Sequence, residues 1–443
     1  MIVPPLALAQ FIASYAATTM TVAVSVIAAD LGTTVLGVQT AITLFTLTMA
    51  SLMVPGSKLT DVLGRKRCFL LGLVVYGAGA LLASAAHGTV TLILGYSLLQ
   101  GIGSALMIPP IYILVTVTSP DVETRARRFG VVSGAGALGA AAGPLLGGLV
   151  TTWLGWRASF LLQVLVVGLI ALLALRLTEP PGRPARTRFD VVGAVLSAAG
   201  LFCVVVGILR MGSSMFWIFA GIGAGILCVF AAHLHSRERA GREPLVSSAL
   251  FRDRATRFGL ITQHVQWLVL QGSFFVIAVF LQQIRGYDAI ETGLMLTPAT
   301  VGILAASAAA GRMARRHSQR RLIRGGFVVA IAGLVLVLLL VRADSGVASA
   351  VPGLFLLGAG VGIMLTASVN LVQSGSPDSA QGDISGVSRS VSNLGSSVGT
   401  ALAGSVLAGV VRPGGTSFAL ALATLTLAAV VGLVAALLLP KPR

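Results

Sequence analysis

AITLFTLTMASLMVPGSKLTDVLGRKRCFLLGLVVYGAGALLASAA, residues 41 to 86, is the stretch from which the fold can be read. Two runs of apolar and small residues flank a short loop that carries Lys58, Asp61, Arg65, Lys66 and Arg67. A spanning helix needs roughly 20 predominantly apolar residues, and within lipid the chain must satisfy its own backbone hydrogen bonds. The stretch therefore reads as two membrane helices joined by a basic turn.

Extending the same reading in both directions gives fourteen runs, near 6–29, 36–56, 69–86, 90–116, 128–151, 158–177, 190–211, 214–234, 257–281, 292–311, 322–341, 351–373, 383–409 and 417–439. The 443 residues are 56% hydrophobic and only 10% charged, where soluble domains carry about 25% charged residues. This leaves no room for a large extramembrane catalytic domain. The net charge of +17 invites a nucleic-acid reading, but the basic residues lie between the runs. On alternate connections 25 Lys and Arg fall on one side and 5 on the other. Short cytoplasmic loops collect such residues, so both termini are expected in the cytoplasm, with an even number of spans and no nucleic-acid partner. The first run lacks a basic leader and is expected to be a span, not a removed signal peptide. Cys68, Cys203 and Cys228 are widely spaced and suggest neither a disulfide nor a metal site.

The longest polar stretches, 178–189 and 235–257, bracket spans seven and eight, which read as a pair inserted between two halves. SKLTDVLGRK at 57–66 recurs weakly as GRMARRHSQR at 311–320, although Arg315 stands where Asp61 would be. Gly139, Gly143 and Gly147 recur as Gly395, Gly399 and Ala403 at nearly the same offset. Two features sharing one offset point to a duplicated six-helix unit, dividing the chain into 1–177, 178–256 and 257–443.

Ser57, Leu59, Asp61, Gly64, Arg65 and Lys66 fit G-x-L-x-D-x-x-G-R-K with Ser at the first Gly, and GAAAGPLLGG, Gly139 to Gly148, fits G-x-x-x-G-P-x-x-G-G throughout. Glycines at i, i+4 and i+8 let helices approach closely, and Pro144 removes a backbone bond and bends its helix. Through these motifs the chain resembles the major facilitator superfamily, in particular its fourteen-span drug:proton antiporter branch. Trp156, Arg157, Phe189, Asp190, Gly193 and residues 280–298 add weaker likenesses. The resemblance implies an all-α fold of two six-helix bundles plus two inserted helices. It further implies a conformational latch at Asp61, Gly64, Arg65 and Lys66 and an antiporter-type motif at Gly139, Gly143, Pro144, Gly147 and Gly148. GAGALG at 134–139 imitates a dinucleotide-binding loop, but it lies inside a membrane helix.

The chain departs from that branch where proton coupling is expected. Ala16 replaces the usual Asp of span one and Ser97 the usual Arg of span four, while Thr21 and Ser25 stand where Asn and Pro are usual. All fourteen carboxylates fall in loops or near helix ends. The titratable imidazole within a span is His264, the candidate proton site, on one helix face with Trp267 and Gln271. It either relays protons or is a neutral packing residue.

Gln10, Ser14, Thr18, Thr21 and Ser25 form a polar stripe along span one, and Gln39, Thr43 and Thr46 a second along span two. They either line a substrate path, with Gln100, Trp267 and Gln271 and with Asn370, Gln373, Arg389 and Asn393 opposite, or satisfy one another and nearby carbonyls in packing. Arg389, the one cation within a span, either holds an anionic group or snorkels to the basic end. Together these readings predict a monomeric secondary transporter in the cell membrane that exports small amphipathic organic compounds. Its substrates are expected to be neutral or zwitterionic, since an unpaired cation in a desolvated pocket is costly, and export is expected to run by proton antiport. The alternatives are an uncoupled facilitator or lipid-type flippase, or a non-transporting sensor or scaffold. With no HExxH or P-loop present, neither an enzyme nor a cofactor is expected.

Overall fold

A computed structural model describes residues 2–119, 121–177, 189–211, 213–314, 316–341, 347–374, 381–409 and 415–440. Arg315 and most of the 178–189 linker lie outside them, as does the Asp61 side chain. The described residues form helices and turns, with no strand among them. In order the helices are α1 (Val3–Val22), α2 (Val24–Asp30), α3 (Val35–Leu63), α4 (Arg65–Ser84), α5 (Thr89–Leu92), a π-helical segment (Ile93–Gln100), α6 (Gly101–Val117), α7 (Val122–Leu154) and α8 (Trp156–Leu175). There follow α9 (Val191–Leu209), α10 (Ser214–Arg239), α11 (Arg254–Gln283), α12 (Ala289–Met313), α13 (Gln319–Leu340), α14 (Val351–Ser374), α15 (Gln381–Gly409) and α16 (Gly415–Leu437).

Twelve of these segments are long and apolar enough to cross a membrane, counting α5, the π segment and α6 as one, and α1 with α2, bent by 69°, makes a thirteenth. The protein is thus a multi-pass membrane protein. α15, 29 residues long, falls short on hydropathy because its serines replace apolar residues. Those serines are enclosed. Ser388, Ser390, Ser392, Ser396 and Ser397 are buried, and Ser388 donates to Gln263 Oε1 at 2.9 Å and Ser397 to Thr43 O at 3.0 Å. A helix surrounded by other helices can carry hydroxyls that a lipid-facing one cannot.

Packing repeats along the chain. α1 lies on α7 and α11 on α15. In the first pair a Cβ at Gly139 would strike Phe11 O, and in the second a Cβ at Gly395 would strike His264 O. Phe11 and His264 thus hold matching places. The first eight helices meet α11–α16 along two seams, α3 against α15 and α7 against α12. α9 lies over the first seam, where Val205 packs with Leu47 and Ala401 and Ser405 donates to Ile208 O at 2.8 Å. α10 packs on α9, and Trp217, Ile218, Ile222 and Val229 are exposed on its other side.

Asp190 ties this helix pair down at the basic end. It caps α9 by accepting from Gly193 N at 3.0 Å, and it meets His233 Nε2 at 3.0 Å and Arg237 Nε at 3.4 Å. Burial pushes its pKa up, but the Gly193 amide, His233 and Arg237 together hold it below the ordinary carboxylate range. A depressed carboxylate stabilises fully above its unfolded pKa and loses that contribution as pH falls through the folded value. Asp190→Ala is expected to cost about 2 to 4 kcal/mol at neutral pH, from the lost cap and the uncompensated charges. An unchanged thermal midpoint of the purified protein would contradict this.

Candidate functional site

A cavity of about 1000 Å³ opens at the end where the basic residues gather. Lys58, Arg65, Arg125 and Gln319 stand at its mouth, and Met53, Ile108, Pro109, Tyr112, Phe129, Asn370 and Arg389 line it further in. The α3 and α15 walls are joined by Lys58 and Asp383, 2.9 Å apart and each about one quarter exposed. A pair this hydrated contributes on the order of 1 kcal/mol.

Away from that end the two sets of helices are held together by side chains that reach across to main chain, on both seams and between α11 and α1. Gln39 donates to Thr400 O at 2.7 Å, Gln271 to Ala17 O at 2.9 Å and Thr300 to Ala141 O at 3.1 Å. Gln282 bridges the break between α1 and α2, donating to Val22 O at 2.7 Å while its Oε1 accepts from Ser25 N at 3.0 Å. A helix break leaves main-chain carbonyls and N–H groups without their helical partners, and here one amide from another helix takes one of each. On the α7–α12 seam a Cβ at Gly148 would run into Ala289 O, and one at Gly293 into Pro144 O.

The glycine motif therefore does two jobs. Gly139, Gly143 and Gly147 seat α1, while Pro144 and Gly148 touch α12. In the latch motif Gly64, at φ +89°, joins α3 to α4. Lys66 Nζ donates to Leu175 O at 2.8 Å, at the C-terminal end of α8, where a cation suits the helix dipole. Among the described residues Lys58 and Asp383 form an ion pair that crosses between the two sets of helices.

Of the expected substrate path, Asn370 and Arg389, with Gln373, line the cavity. Gln10 joins it through Tyr112, whose Oη donates to Gln10 Oε1 at 3.2 Å, and Gln10 Nε2 donates to Ser14 Oγ at 3.2 Å. The deeper part of the stripe packs: Thr18 donates to Ala140 O at 3.1 Å, and Thr21 is buried. Gln39 belongs to the closed α3–α15 seam, Gln271 bridges α11 to α1, and the Thr43 carbonyl accepts from Ser397. Gln100 sits inside the first set of helices, donating to Gln163 Oε1 at 3.0 Å. Trp267, Asn393 and His264 are not among the residues lining the cavity; the His264 imidazole lies against the Val391 carbonyl. At the positions where the branch usually carries its charged pair, Ser97 donates to Ala41 O at 2.7 Å, and its neighbour Tyr96 to Ala16 O at 3.2 Å. These are neutral bonds. Tyr112, Phe129 and the Lys58–Asp383 pair were missed by the sequence reading; an aromatic hydroxyl beside Pro109 and Pro110 inside an apolar run was the available signal.

A bundle of membrane helices enclosing a cavity open at one end and shut at the other is the architecture of a membrane transporter. The chain belongs to the Major Facilitator Superfamily, whose family model matches residues 6–400. It is similar, at 32% identity over 89% of this chain and 70% of the relative, to the "probable actinorhodin transporter" of Streptomyces coelicolor. Likewise it is 30% identical, over 82% of this chain and 68% of the relative, to the tetracenomycin C resistance and export protein of Streptomyces glaucescens. A puromycin resistance protein of Streptomyces alboniger is 29% identical over 90% of this chain and 80% of its own length.

Proposed function

We propose that this protein exports small amphipathic organic compounds across the cell membrane by alternating access, in exchange for protons. The observation that carries the reading is the cavity, open at the basic end and shut at the far end by Gln39, Gln271 and Gln282. Relatives named for antibiotic export and resistance support the direction. The basic end faces the cytoplasm, with both termini, as the excess of Lys and Arg there suggests. The chain crosses fourteen times, α15 being the enclosed crossing, and acts as a monomer. Residues 1–177 and 257–443 rock against each other, with 178–256 inserted between them; the matching seats of Gly139 on Phe11 and Gly395 on His264 support that duplication. We assign the chain to the fourteen-span drug:proton antiporter branch. Asp61, Gly64, Arg65 and Lys66 belong to the latch at the cytoplasmic end. The substrate path runs past Asn370 and Arg389 to Gln10. The bound compounds carry no net positive charge, in keeping with spans that carry no carboxylate at mid-membrane.

Proton exchange, lacking the usual charged pair, falls to His264. Uptake of a panel of lipophilic compounds into inside-out vesicles, with and without an imposed pH gradient, tests this. Gradient-driven uptake is expected in the wild type and its loss in His264→Ala. Gradient dependence unchanged in the variant removes His264 from coupling. A second reading, an uncoupled facilitator, is favoured by the neutral bonds at Ala16 and Ser97; equilibration that ignores the gradient would establish it.

A further inference from the structure

Resting on the export reading above, we propose that the cargo is an aromatic acid, a flat ring system bearing one anionic group, carboxylate or acidic phenol or enol, held by Arg389 against Tyr112 and Phe129. Arg389 lies eight residues into α15, roughly 12 Å along the helix axis, and lines the cavity. It does not simply reach back toward the basic end. Its guanidinium donates to Tyr112 Oη and stands 4.9 Å from the centre of that ring. The Tyr112 hydroxyl donates its own hydrogen bond to Gln10 Oε1, so the group that receives Arg389 is itself fixed. Among the described residues no carboxylate pairs with Arg389. Of the two that line the cavity, Asp383 is taken by Lys58 at 2.9 Å, and Glu243 stands at the mouth with Pro244 and Ser247.

A guanidinium offers five N–H donors in a planar fork suited to a carboxylate. Arg389 spends one on a neutral hydroxyl. A half-enclosed cation without a counterion is costly, and an anionic ligand supplies the counterion. Around it the described lining carries four cations, Lys58, Arg65, Arg125 and Arg389, against two carboxylates. The described lining therefore favours anions over cations. The flat partner follows from Tyr112 and Phe129, whose rings are 5.8 Å apart and 25° from parallel, with Ile108 and Pro109 beside them. Aromatic faces stack best on other flat rings. Zwitterions fit when their acid end reaches Arg389; neutral compounds lose that bond.

Calorimetric titration of the purified full-length protein with anthraquinone-2-carboxylate, its carboxamide and a trimethylammonium anthraquinone tests the proposal. The acid is expected to bind at least tenfold tighter than the amide, with no saturable binding of the cation. Arg389→Gln should erase the acid-over-amide preference, and Arg389→Lys, which keeps the charge but not the fork, should restore part of it. Amide or cation binding as tight as the acid, no binding of the acid at all, or a preference that survives Arg389→Gln overturns the proposal. Uptake of the same compounds into inside-out vesicles reads export separately. Acid bound through Arg389 but never taken up removes the export reading and leaves the site. Equal uptake and equal binding of acid and amide keep export and remove the site.

Discussion

Gln282→Leu is expected to open the far end of the transporter. Its amide serves two backbone groups at once, the Val22 carbonyl and the Ser25 N–H freed where α1 gives way to α2 at a 69° bend. Leu fills nearly the same volume but offers neither bond, and each buried backbone group left alone costs about 1 to 3 kcal/mol. Both groups can recover water only if the α1–α2 elbow parts from α11. About 2 to 4 kcal/mol is thus removed from the closed far end, a shift of roughly thirtyfold or more in its equilibrium. The readout is a single cysteine at Thr400, fully buried where Gln39 crosses the seam, in a background without Cys68, Cys203 and Cys228. Labelling by a membrane-impermeant maleimide from the far side should rise at least tenfold in Gln282→Leu. If the rate stays at its Gln282 level, the bridge has no part in closure.

Two glycines of one motif should fail in different ways. A side chain at Gly139 would meet Phe11 O, and one at Gly148 would meet Ala289 O, both main-chain atoms that cannot swing aside. The first contact lies between α1 and α7, within the first set of helices; the second lies on the α7–α12 seam that joins the two sets. Overpacking costs about 1 to 3 kcal/mol, and more where backbone must move. Gly139→Leu is therefore expected to prevent assembly, seen as loss of monodisperse protein. Gly148→Leu should fold, because parting the seam relieves the clash, yet be unable to close the far end. It should bring transport down more than tenfold and raise labelling of the Thr400 cysteine. Equal yields and equal transport for the two variants would sink this division of labour.

The same distinction explains what was legible beforehand. Gly139 to Gly148 stood out as a close-packing stretch from spacing alone, but nothing in it said that Gly148 touches a different partner from Gly139. The stripe Gln10, Ser14, Thr18 and Thr21 was visible as a stripe. Only its basic end joins the cavity, through Tyr112, while Thr18 turns to Ala140 O. Gln39 and Gln271 were picked out as polar groups that must do something in a membrane, and they tie the two sets of helices together. α15 was read as the run 383–409 although its hydropathy is low, and what lets so polar a helix sit there is its enclosure: its hydroxyls find carbonyls on α3 and an amide on α11.

Hydropathy and loop charge are sums over neighbouring residues, so the sequence by itself determined that the chain is embedded in a membrane, roughly where its helices lie, and at which end its basic residues collect. Which face of each helix meets which neighbour depends on helix rotation, and successive residues point about 100° apart. A small turn of one helix sends a glutamine into a cavity or across a seam. That choice is made by packing among many helices at once, and so only the tertiary structure decided that Arg389 stands over Tyr112 in an open cavity while Gln282 locks the opposite end.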